Sequence, residues 1–306
     1  MATNPKPRWL KVKLPTSPRY HQIRNTARTR KLSTVCEEAH CPNIGECWGG
    51  GTATFMVMGH ICTRGCRFCA VTTRRKGVDL DLDEPANLAQ TIREMDLDYV
   101  VITSVDRDDL ADHGAGHFAA CIRETRDASP KTMVEVLTGD FGGNVGSMLT
   151  VVQAEPEVIA HNIETVERLT PKVRDPRATY QQSMDMLKAV KVMDPERYTK
   201  SSIMVGLGET DEEVIETMRH LRDVGVDFLT LGQYLQPTKK HLKVVEFVEP
   251  QRFDAWREAG LELGFHYVAS GPLVRSSYKA GEFFIKDFVQ SGRAANAPYT
   301  SRAHRP

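Results

Sequence analysis

The sequence predicts an α/β fold, a partial TIM-like (β/α)6 barrel with N-terminal and C-terminal extensions that close the barrel mouth. Six apolar runs of strand length recur between Ala53 and Tyr234, and segments with helical periodicity separate them. Consecutive strand–helix units form parallel sheets, and right-handed crossovers between six such strands close most of a barrel. The 306 residues of the chain are enough for one domain of this kind.

The elements follow in chain order from the pattern of side chains. Apolar runs without alternation are typical of strands buried on both faces. The predicted strands are Ala53–Met58, Tyr99–Ser104, Thr132–Leu137, Val158–Ile163, Ser201–Gly206 and Phe228–Tyr234. Apolar residues spaced three or four apart are typical of helices. The predicted helices are Glu84–Met95, Gly116–Ala128, Val145–Val152, Thr179–Met193, Asp211–Val224 and Arg252–Leu263.

The chain divides into three predicted parts. Residues 1–52 form an N-terminal extension with a cysteine-rich loop, and residues 53–265 form the barrel. Residues 266–306 form a C-terminal extension that contains the sequence Arg-Ser-Ser-Tyr at 275–278. Its last residues, Ala294–Pro306, are predicted to be a flexible tail.

Composition excludes some classes of protein. The net charge is zero and 41% of the residues are hydrophobic, which argues against a general polyanion-binding protein and fits an ordinary globular one. No apolar stretch approaches the roughly 18 residues that span a membrane. The N-terminus has no apolar signal segment, so we expect a cytoplasmic protein without a membrane partner.

Basic residues are concentrated at the N-terminus, since residues 1–36 contain nine Lys or Arg and no Asp or Glu. Three interpretations are open. The segment is an organellar transit peptide, although its prolines interrupt an amphipathic helix. Otherwise it is a solvated arm without a partner, or a docking surface for an acidic protein or a nucleic acid.

The most informative stretch follows the first predicted strand. Cys62, Cys66 and Cys69 are separated by three and then two residues, so one loop can direct three sulfurs to one point. Three thiolates on a cubic iron–sulfur cluster leave one iron without a protein ligand, and an open position makes a metal site reactive. A zinc site completed by His60 is the alternative. The odd number of cysteines in the chain argues against disulfides.

A second group of cysteines precedes the barrel. Cys36, Cys41 and Cys47 are separated by four and then five residues, with Pro, Asn and Gly between them that favour turns. This group predicts a second metal centre, and a cubic cluster here needs one more ligand from elsewhere. A zinc site completed by His40 is the alternative. The seventh cysteine, Cys121, lies in a helical pattern and is predicted to be a small core residue.

Polar residues follow every predicted strand after the first. In a parallel barrel the chemistry takes place at the carboxyl ends of the strands. Each of these segments alone is explained as a turn or a cap, but their recurrence at one rim favours an active site. They are Thr103–Asp109, Thr138–Asp140, Asn162–Glu164, Gly206–Glu209 and Gln233–Tyr234.

The chain resembles the lipoyl synthase family of radical S-adenosylmethionine (SAM) enzymes from about Pro7 to about Tyr278. The discriminating feature is the pairing of C-x4-C-x5-C with C-x3-C-x2-C. Further matching stretches are Trp9–Pro15, Cys41–Trp48, Val101–Leu110, His161–Val166 and Arg275–Tyr278.

The resemblance implies two 4Fe-4S clusters and SAM as cofactors. Cys62, Cys66 and Cys69 are then the ligands of the SAM-cleaving cluster. Ser277 is the fourth ligand of an auxiliary cluster that is also held by Cys36, Cys41 and Cys47. The three cysteines of the first loop and Ser277 are taken as catalytic. Position at the strand ends gives the candidate SAM contacts, which are Phe68, Ser104, Asn162, Glu164 and Arg174.

The resemblance also implies the reaction, which is the insertion of two sulfur atoms at C6 and C8 of a protein-bound octanoyl chain, with the auxiliary cluster as sulfur donor. The expected partners are octanoylated lipoyl-carrier domains, such as 2-oxoacid dehydrogenase E2 subunits and the glycine cleavage H protein. The expected electron donor is a ferredoxin or flavodoxin, and no nucleic acid is expected. Two other hypotheses are radical modification of RNA or of another peptide, and a zinc-stabilised binding module without catalysis.

Overall fold

The computed structural model describes residues 7–11, 17–29, 33–34, 37, 41, 43–49 and 53–277. Several residues singled out in the sequence lie outside these ranges. They are Cys36, His40, Tyr278 and the predicted tail Ala294–Pro306.

Seven parallel strands form the wall of the barrel. In chain order the strands of the described residues are β1 (Ser33–Thr34), β2 (Ala53–Val57), β3 (Ile61–Cys62), β4 (Thr72–Thr73), β5 (Tyr99–Ser104), β6 (Met133–Leu137), β7 (Val158–Ala160), β8 (Tyr198–Val205), β9 (Phe228–Gln233) and β10 (Tyr267–Gly271). The main sheet has the order β1-β2-β5-β6-β7-β8-β9-β10, with only β1 antiparallel to its neighbour, and β3 pairs with β4 in a separate ribbon. The predicted partial barrel is therefore confirmed.

Among the described residues, two helices precede the first wall strand and the others lie between the wall strands. They are α1 (Pro18–Thr29), α2 (Ile44–Gly49), α3 (Glu84–Met95), α4 (Ala115–Ala128), α5 (Val145–Val152), α6 (Thr170–Val173), α7 (Tyr180–Met193), α8 (Asp211–Asp223) and α9 (Pro250–Glu262). Thr210 caps the start of α8, because its hydroxyl accepts from the Glu213 N–H while the Glu213 carboxylate accepts from the Thr210 N–H. Across the described ranges, no helix combines the length and the apolar character that crossing a bilayer requires.

The seventh wall strand, β10, was not predicted. It pairs in parallel with β9 over five residues and lies within residues 266–306, which the sequence assigned to an extension beyond the barrel. Its sequence, Tyr-Val-Ala-Ser-Gly, is too short and too polar to form an apolar run. The division into three parts and the closure of the mouth by the extensions stay predictions.

Two strand boundaries differ from the prediction by more than one residue. β8 begins at Tyr198 rather than Ser201, because the charged Lys200 is buried inside the barrel, where its amine lies 2.8 Å from the Glu135 carboxylate. β7 ends at Ala160 rather than Ile163, and Glu164 shortly after it has a left-handed backbone, φ 69°.

Buried side chains fill the amino-terminal end of the barrel. Tyr99, Val101, Met133, Val158 and Phe228 form one apolar cluster there. The Glu135–Lys200 pair lies among the same strands, and the Tyr99 hydroxyl donates to Glu135. Because this end is packed, the space for a ligand is at the carboxyl ends of the strands.

The N-terminal extension packs beside the first wall strand. Trp48 of α2 is fully buried, and its ring lies 5.3 Å from that of Tyr20 in α1. Both belong to the same apolar cluster as Phe55 of β2 and Leu88 of α3. This packing fixes the position of α2, which contains Cys47.

Candidate functional site

The loop with three cysteines begins at the carboxyl end of β2 and folds back on itself. Cys62 lies in β3, which pairs with β4 and so joins the two ends of the loop. Inside the loop, the Cys69 N–H donates to the Cys66 carbonyl over 3.2 Å. All three cysteines are free thiols and partly buried.

The three sulfurs interact electrostatically. Burial raises the pKa of Cys62 and Cys66 to about 12 and that of Cys69 to about 11. Each thiolate also raises the pKa of another, Cys66 acting on Cys62, Cys69 on Cys66 and Cys62 on Cys69. Three thiolates in one buried place therefore need positive charge beside them, which the iron of a cluster supplies. The donor set fits the predicted cluster.

Arg64 joins the cysteine loop to the ends of two wall strands. Its guanidinium lies 2.8 Å from Asp108, which follows β5, and 2.6 Å from Asp140, which follows β6. Burial acts to lower the pKa of Arg64, but the carboxylates outweigh it and hold that pKa above its ordinary value. Because the side chain is only 2% exposed, removing one partner would leave a buried charge without compensation.

A second group of contacts holds the other side of the loop. The Gly65 N–H donates to the Asp175 carboxylate over 2.8 Å, and the Asp175 N–H donates to the Cys66 sulfur over 3.3 Å. Arg177 donates to the same carboxylate and to the Thr63 carbonyl. Its hydrogen bond holds the pKa of Asp175 well below the ordinary value. The segment after α6 thereby fixes the cysteine loop.

Sequence reasoning missed both groups of contacts. It placed Asp108 and Asp140 at the polar rim but gave them no partner, and it did not single out Arg64, Asp175 or Arg177 for the site. The sequence did contain a signal for the first group: an arginine lies between two of the cysteines, and aspartates follow two of the predicted strands.

Three of the five candidate SAM contacts come together. The Asn162 amide donates to the Glu164 carboxylate over 3.1 Å. Burial raises the pKa of Glu164, and the charge of Arg174 opposes this effect. The same guanidinium lowers the pKa of Cys66, so it lies within electrostatic reach of the cysteine loop.

Several buried polar atoms in this region have no hydrogen-bond partner in the described structure. They are Asn162 Oδ1, Arg174 Nε and Asp140 Oδ2. Buried polar groups are almost always paired, so these atoms fit a polar ligand that supplies both donors and acceptors. The amino-acid and ribose groups of SAM have this chemistry.

The other two candidate SAM contacts have a structural explanation at their positions. The Phe68 ring packs against the apolar cluster that contains Leu207 and Leu231. Ser104 is the last residue of β5, in register with Val57 at the end of β2. Both lie near the cysteine loop, and their contacts with SAM stay predictions.

The second cysteine group contacts the C-terminal segment. The Asn43 amide donates to the Leu273 carbonyl over 2.6 Å, joining positions 230 residues apart. Burial raises the pKa of Cys41, and the positive charge of Arg275 offsets part of this increase. Cys47 is buried in α2, and Ser277 is partly buried two residues after Arg275.

Gly232 lets the C-terminal segment cross the carboxyl end of β9. A Cβ atom at this position would lie 2.0 Å from the Val274 carbonyl oxygen and 3.2 Å from the Arg275 guanidinium. Only glycine leaves room for this approach. The segment that leads to Ser277 therefore lies at the same end of the barrel as the loop of Cys62, Cys66 and Cys69, called the Cys62 loop below.

His161 provides a test of the electrostatics. Its ring nitrogens lie 2.9 Å from the Thr138 carbonyl and 2.9 Å from the Ser183 hydroxyl. Burial, and then the charge of Arg174, lower the pKa of His161 from 6.5 to about 4. Between these values the unfolded chain binds a proton that the folded chain does not, so this histidine lowers stability as the pH falls.

We therefore expect the melting temperature of the cluster-loaded protein to fall between pH 6.5 and about 4. His161→Asn should remove part of that slope, because asparagine does not titrate. Anaerobic calorimetry across this range measures both profiles. If the melting temperatures of the two proteins depended on pH in the same way, the lowered pKa of His161 would be contradicted.

Two family descriptions match the chain. The radical SAM superfamily matches residues 56–221, and the N-terminal domain of lipoyl synthase matches residues 3–41. The chain is 59% identical over 286 residues to the lipoyl synthase of Anaeromyxobacter sp. (strain Fw109-5), covering 94% of this chain and 97% of that protein. It is 57% identical over 292 residues to the mitochondrial lipoyl synthase of Branchiostoma floridae, covering 94% and 78%.

Solved structures show the same fold at low sequence identity. HydG, a maturase of the FeFe-hydrogenase, aligns with a TM-score of 0.53 and 13% identity over 81% of this chain and 65% of its own. Streptococcus suis SuiB, bound to the precursor peptide SuiA, aligns with a TM-score of 0.53 and 9% identity over 78% of this chain and 48% of its own. At these identities the likeness concerns the fold alone.

Proposed function

The chain belongs to the lipoyl synthase family of radical SAM enzymes, and we propose on this premise that its two cysteine groups hold two 4Fe-4S clusters with separate tasks. Its reaction is the insertion of two sulfur atoms, at C6 and C8, into a protein-bound octanoyl chain. The hydrogen bond from Asn43 to the Leu273 carbonyl and the charge of Arg275 acting on Cys41 are the main support, because they link the segment of Cys41 and Cys47 to the segment that leads to Ser277.

The first cluster is assigned to Cys62, Cys66 and Cys69. When bound, this cluster and SAM supply a 5′-deoxyadenosyl radical, and the auxiliary cluster supplies sulfur. The protein holds the loop rigid through Arg64 and Asp175. Asn162 Oδ1 and Arg174 Nε, both buried without a partner among the described residues, would pair with polar groups of SAM. The packed amino-terminal end of the barrel closes the site on the side away from the cysteine loop.

The auxiliary cluster is assigned to Cys36, Cys41, Cys47 and Ser277. An oxygen ligand is a weaker match for cluster iron than a thiolate, so the iron at Ser277 is the one most readily released. Arg275 favours the anionic form of Cys41. The same guanidinium, two residues from Ser277, is suited to stabilise an anionic oxygen there.

Product analysis tests the function. The anaerobically reconstituted protein is mixed with an octanoyl-lysine peptide, SAM and a reductant, and the peptide is analysed by mass spectrometry. We expect a lipoyl-lysine peptide, with one SAM cleaved for each sulfur inserted. If SAM cleavage instead depended on an added RNA, or on a peptide without an octanoyl group, and modified that molecule, the proposed function would be wrong and radical modification of that substrate would replace it.

Members of this family act on lipoyl carrier proteins. We propose that the carriers here are 2-oxoacid dehydrogenase E2 subunits and the glycine cleavage H protein, with a ferredoxin or flavodoxin as electron donor. The relatives include bacterial and mitochondrial proteins, so the cytoplasmic location stays a prediction.

The basic N-terminal segment is proposed to dock the acidic carrier domain. Lys11 is exposed directly after a short turn of helix whose Leu10 is buried, so its charge is presented from an anchored backbone. Lys13 lies outside the described residues. Electrostatic complementarity of this kind acts mainly on association and is weakened by salt.

Reversing the charge of Lys11 and Lys13 to Glu should raise the KM for a carrier protein about threefold to tenfold at low salt. The octanoyl-lysine peptide is the matched control substrate, because it lacks the acidic domain and its KM should not change. An unchanged KM for the carrier protein would exclude docking through this segment.

A further inference from the structure

The chain leaves the first wall strand through an unfavourable turn. Met58 has φ 65° and Gly59 has φ 83°, both in the left-handed region. That conformation is uncommon for a residue with a side chain, so the surroundings of Met58 must stabilise it. Met58 is 2% exposed. The turn of Met58 and Gly59 sets the direction in which the chain enters β3 and reaches Cys62.

Glu84 holds the amide side of this turn. The Met58 N–H donates to Glu84 Oε2 over 2.9 Å, and the same oxygen lies 2.7 Å from Nε2 of His117. Glu84 is the first residue of α3, and His117 lies in the first turn of α4. Their side chains are 14% and 7% exposed, so the contact is largely shielded from water.

Arg107 holds the carbonyl side. Its guanidinium donates to the Met58 carbonyl over 3.4 Å and is itself paired with Asp109 over 2.8 Å. Arg107 directly follows Asp106, whose carbonyl accepts from the Thr63 N–H over 3.0 Å. The Asp106 carboxylate lies 3.8 Å from the Cys62 sulfur. The turn and the cysteine loop are therefore fixed to the same segment after β5.

We propose that Glu84, held in place by His117, is a positioning residue for SAM cleavage. By accepting the Met58 N–H it keeps the turn in its left-handed form and so sets the position of Cys62, which would hold the SAM-cleaving cluster. This inference rests on the proposed function of the Cys62 loop.

The same place also resembles an ion site. Ligand atoms of Glu84, His117 and Cys121 lie within 4.8 Å of one another. The two hydrogen bonds at Glu84 Oε2 account for the carboxylate without an ion, and they do not involve Cys121. If this were an ion site, Cys121 would be one of its ligands. If Glu84 only positions the turn, Cys121 has no part in it.

Substitutions at position 84 test the proposal. Glu84→Ala removes the acceptor, and Glu84→Asp keeps the charge but shortens its reach. Glu84→Gln keeps an acceptor oxygen at the same distance. The matched control is Glu157→Ala. Glu157 also accepts a backbone N–H, that of Val134 over 2.7 Å, and also pairs with a basic side chain, but it lies at the amino-terminal end of β6.

The holoenzyme variants are compared by the KM for SAM in deoxyadenosine formation, the electron paramagnetic resonance spectrum of the reduced cluster with SAM, and the melting temperature. We expect Glu84→Ala and Glu84→Asp to raise the KM for SAM about tenfold and to change the spectrum, since a hydrogen bond to a charged group is lost or misplaced. Glu84→Gln should stay within about twofold of the wild type. Glu157→Ala should lower only the melting temperature. If Glu84→Ala does not fold, the KM for SAM and the spectrum of Glu84→Asp test the proposal.

Two results would overturn the proposal. One is that the KM for SAM and the spectrum of both damaging variants match those of Glu157→Ala, which means that Glu84 acts on stability alone. The other is that Cys121→Ala raises the KM for SAM as much as Glu84→Ala, with stoichiometric zinc in the wild type, which identifies an ion site. A wild-type protein that does not cleave SAM would instead remove the proposed function, and this inference with it.

Discussion

Cys66→Ala is expected to abolish SAM cleavage and lipoyl formation together. Cys66 is central to its loop, since the Asp175 N–H donates to its sulfur and the thiolate interacts electrostatically with Cys62 and Cys69. Removing even a group that only supports a metal ligand lowers activity up to about a hundredfold, so loss of a ligand should exceed that. Iron should fall from about eight to about four per chain. Deoxyadenosine formation and iron analysis measure both effects.

Cys121→Ala is the control for this variant. Its thiol is fully buried in α4 and is not among the assigned ligands. Iron content and SAM cleavage should match the wild type, with a lower melting temperature from the small cavity left behind. Retention of SAM cleavage in Cys66→Ala would remove the ligand assignment for the whole loop.

Ser277→Ala is expected to separate the two halves of the reaction. The variant should still cleave SAM, because within residues 53–277 the loop from Cys62 to Cys69 forms its hydrogen bonds and ion pairs with residues 106–108, 140, 172–177 and 241–242 rather than with residues 273–277. It should form no lipoyl product, because the auxiliary cluster loses its oxygen ligand. Quantifying deoxyadenosine and peptide products in one reaction measures the separation, with a loss of lipoyl of more than about a hundredfold.

Ser276→Ala is the matched control, since it alters the neighbouring serine of the same sequence and should retain both activities. Normal lipoyl formation by Ser277→Ala would contradict the ligand assignment. Equal loss in both serine variants would point to folding of the C-terminal segment rather than to ligation.

The barrel was predictable because most of its strands are rich in apolar residues, such as Ala53–Val57 and Tyr99–Ser104. What escaped prediction depends on tertiary partners. Lys200 is a charged residue that becomes compatible with a strand only when it pairs with Glu135 inside the barrel. Tyr267–Gly271 gains its strand character from pairing with β9 rather than from its own composition.

The candidate site, too, has features that the sequence reveals and features that depend on tertiary contacts. The spacing of Cys62, Cys66 and Cys69 is local and is readable from the sequence. The partners of Arg64 come from two strand ends more than 40 residues away in the chain, so spacing gives no access to them. The link of the second cysteine group to Ser277 came only from the resemblance, and the Asn43–Leu273 contact is the structural feature that agrees with it.

Transfer of labelled sulfur tests the central claim most directly. The protein is reconstituted with isotopically heavy sulfide, freed of unbound sulfide, and mixed without air with octanoyl-lysine peptide, SAM and a reductant. If this chain holds its own sulfur source beside a SAM-cleaving cluster, the product will contain heavy sulfur at both C6 and C8, at no more than one lipoyl group per chain. Light sulfur in the product, or cleavage of SAM with no sulfur transferred, would contradict it.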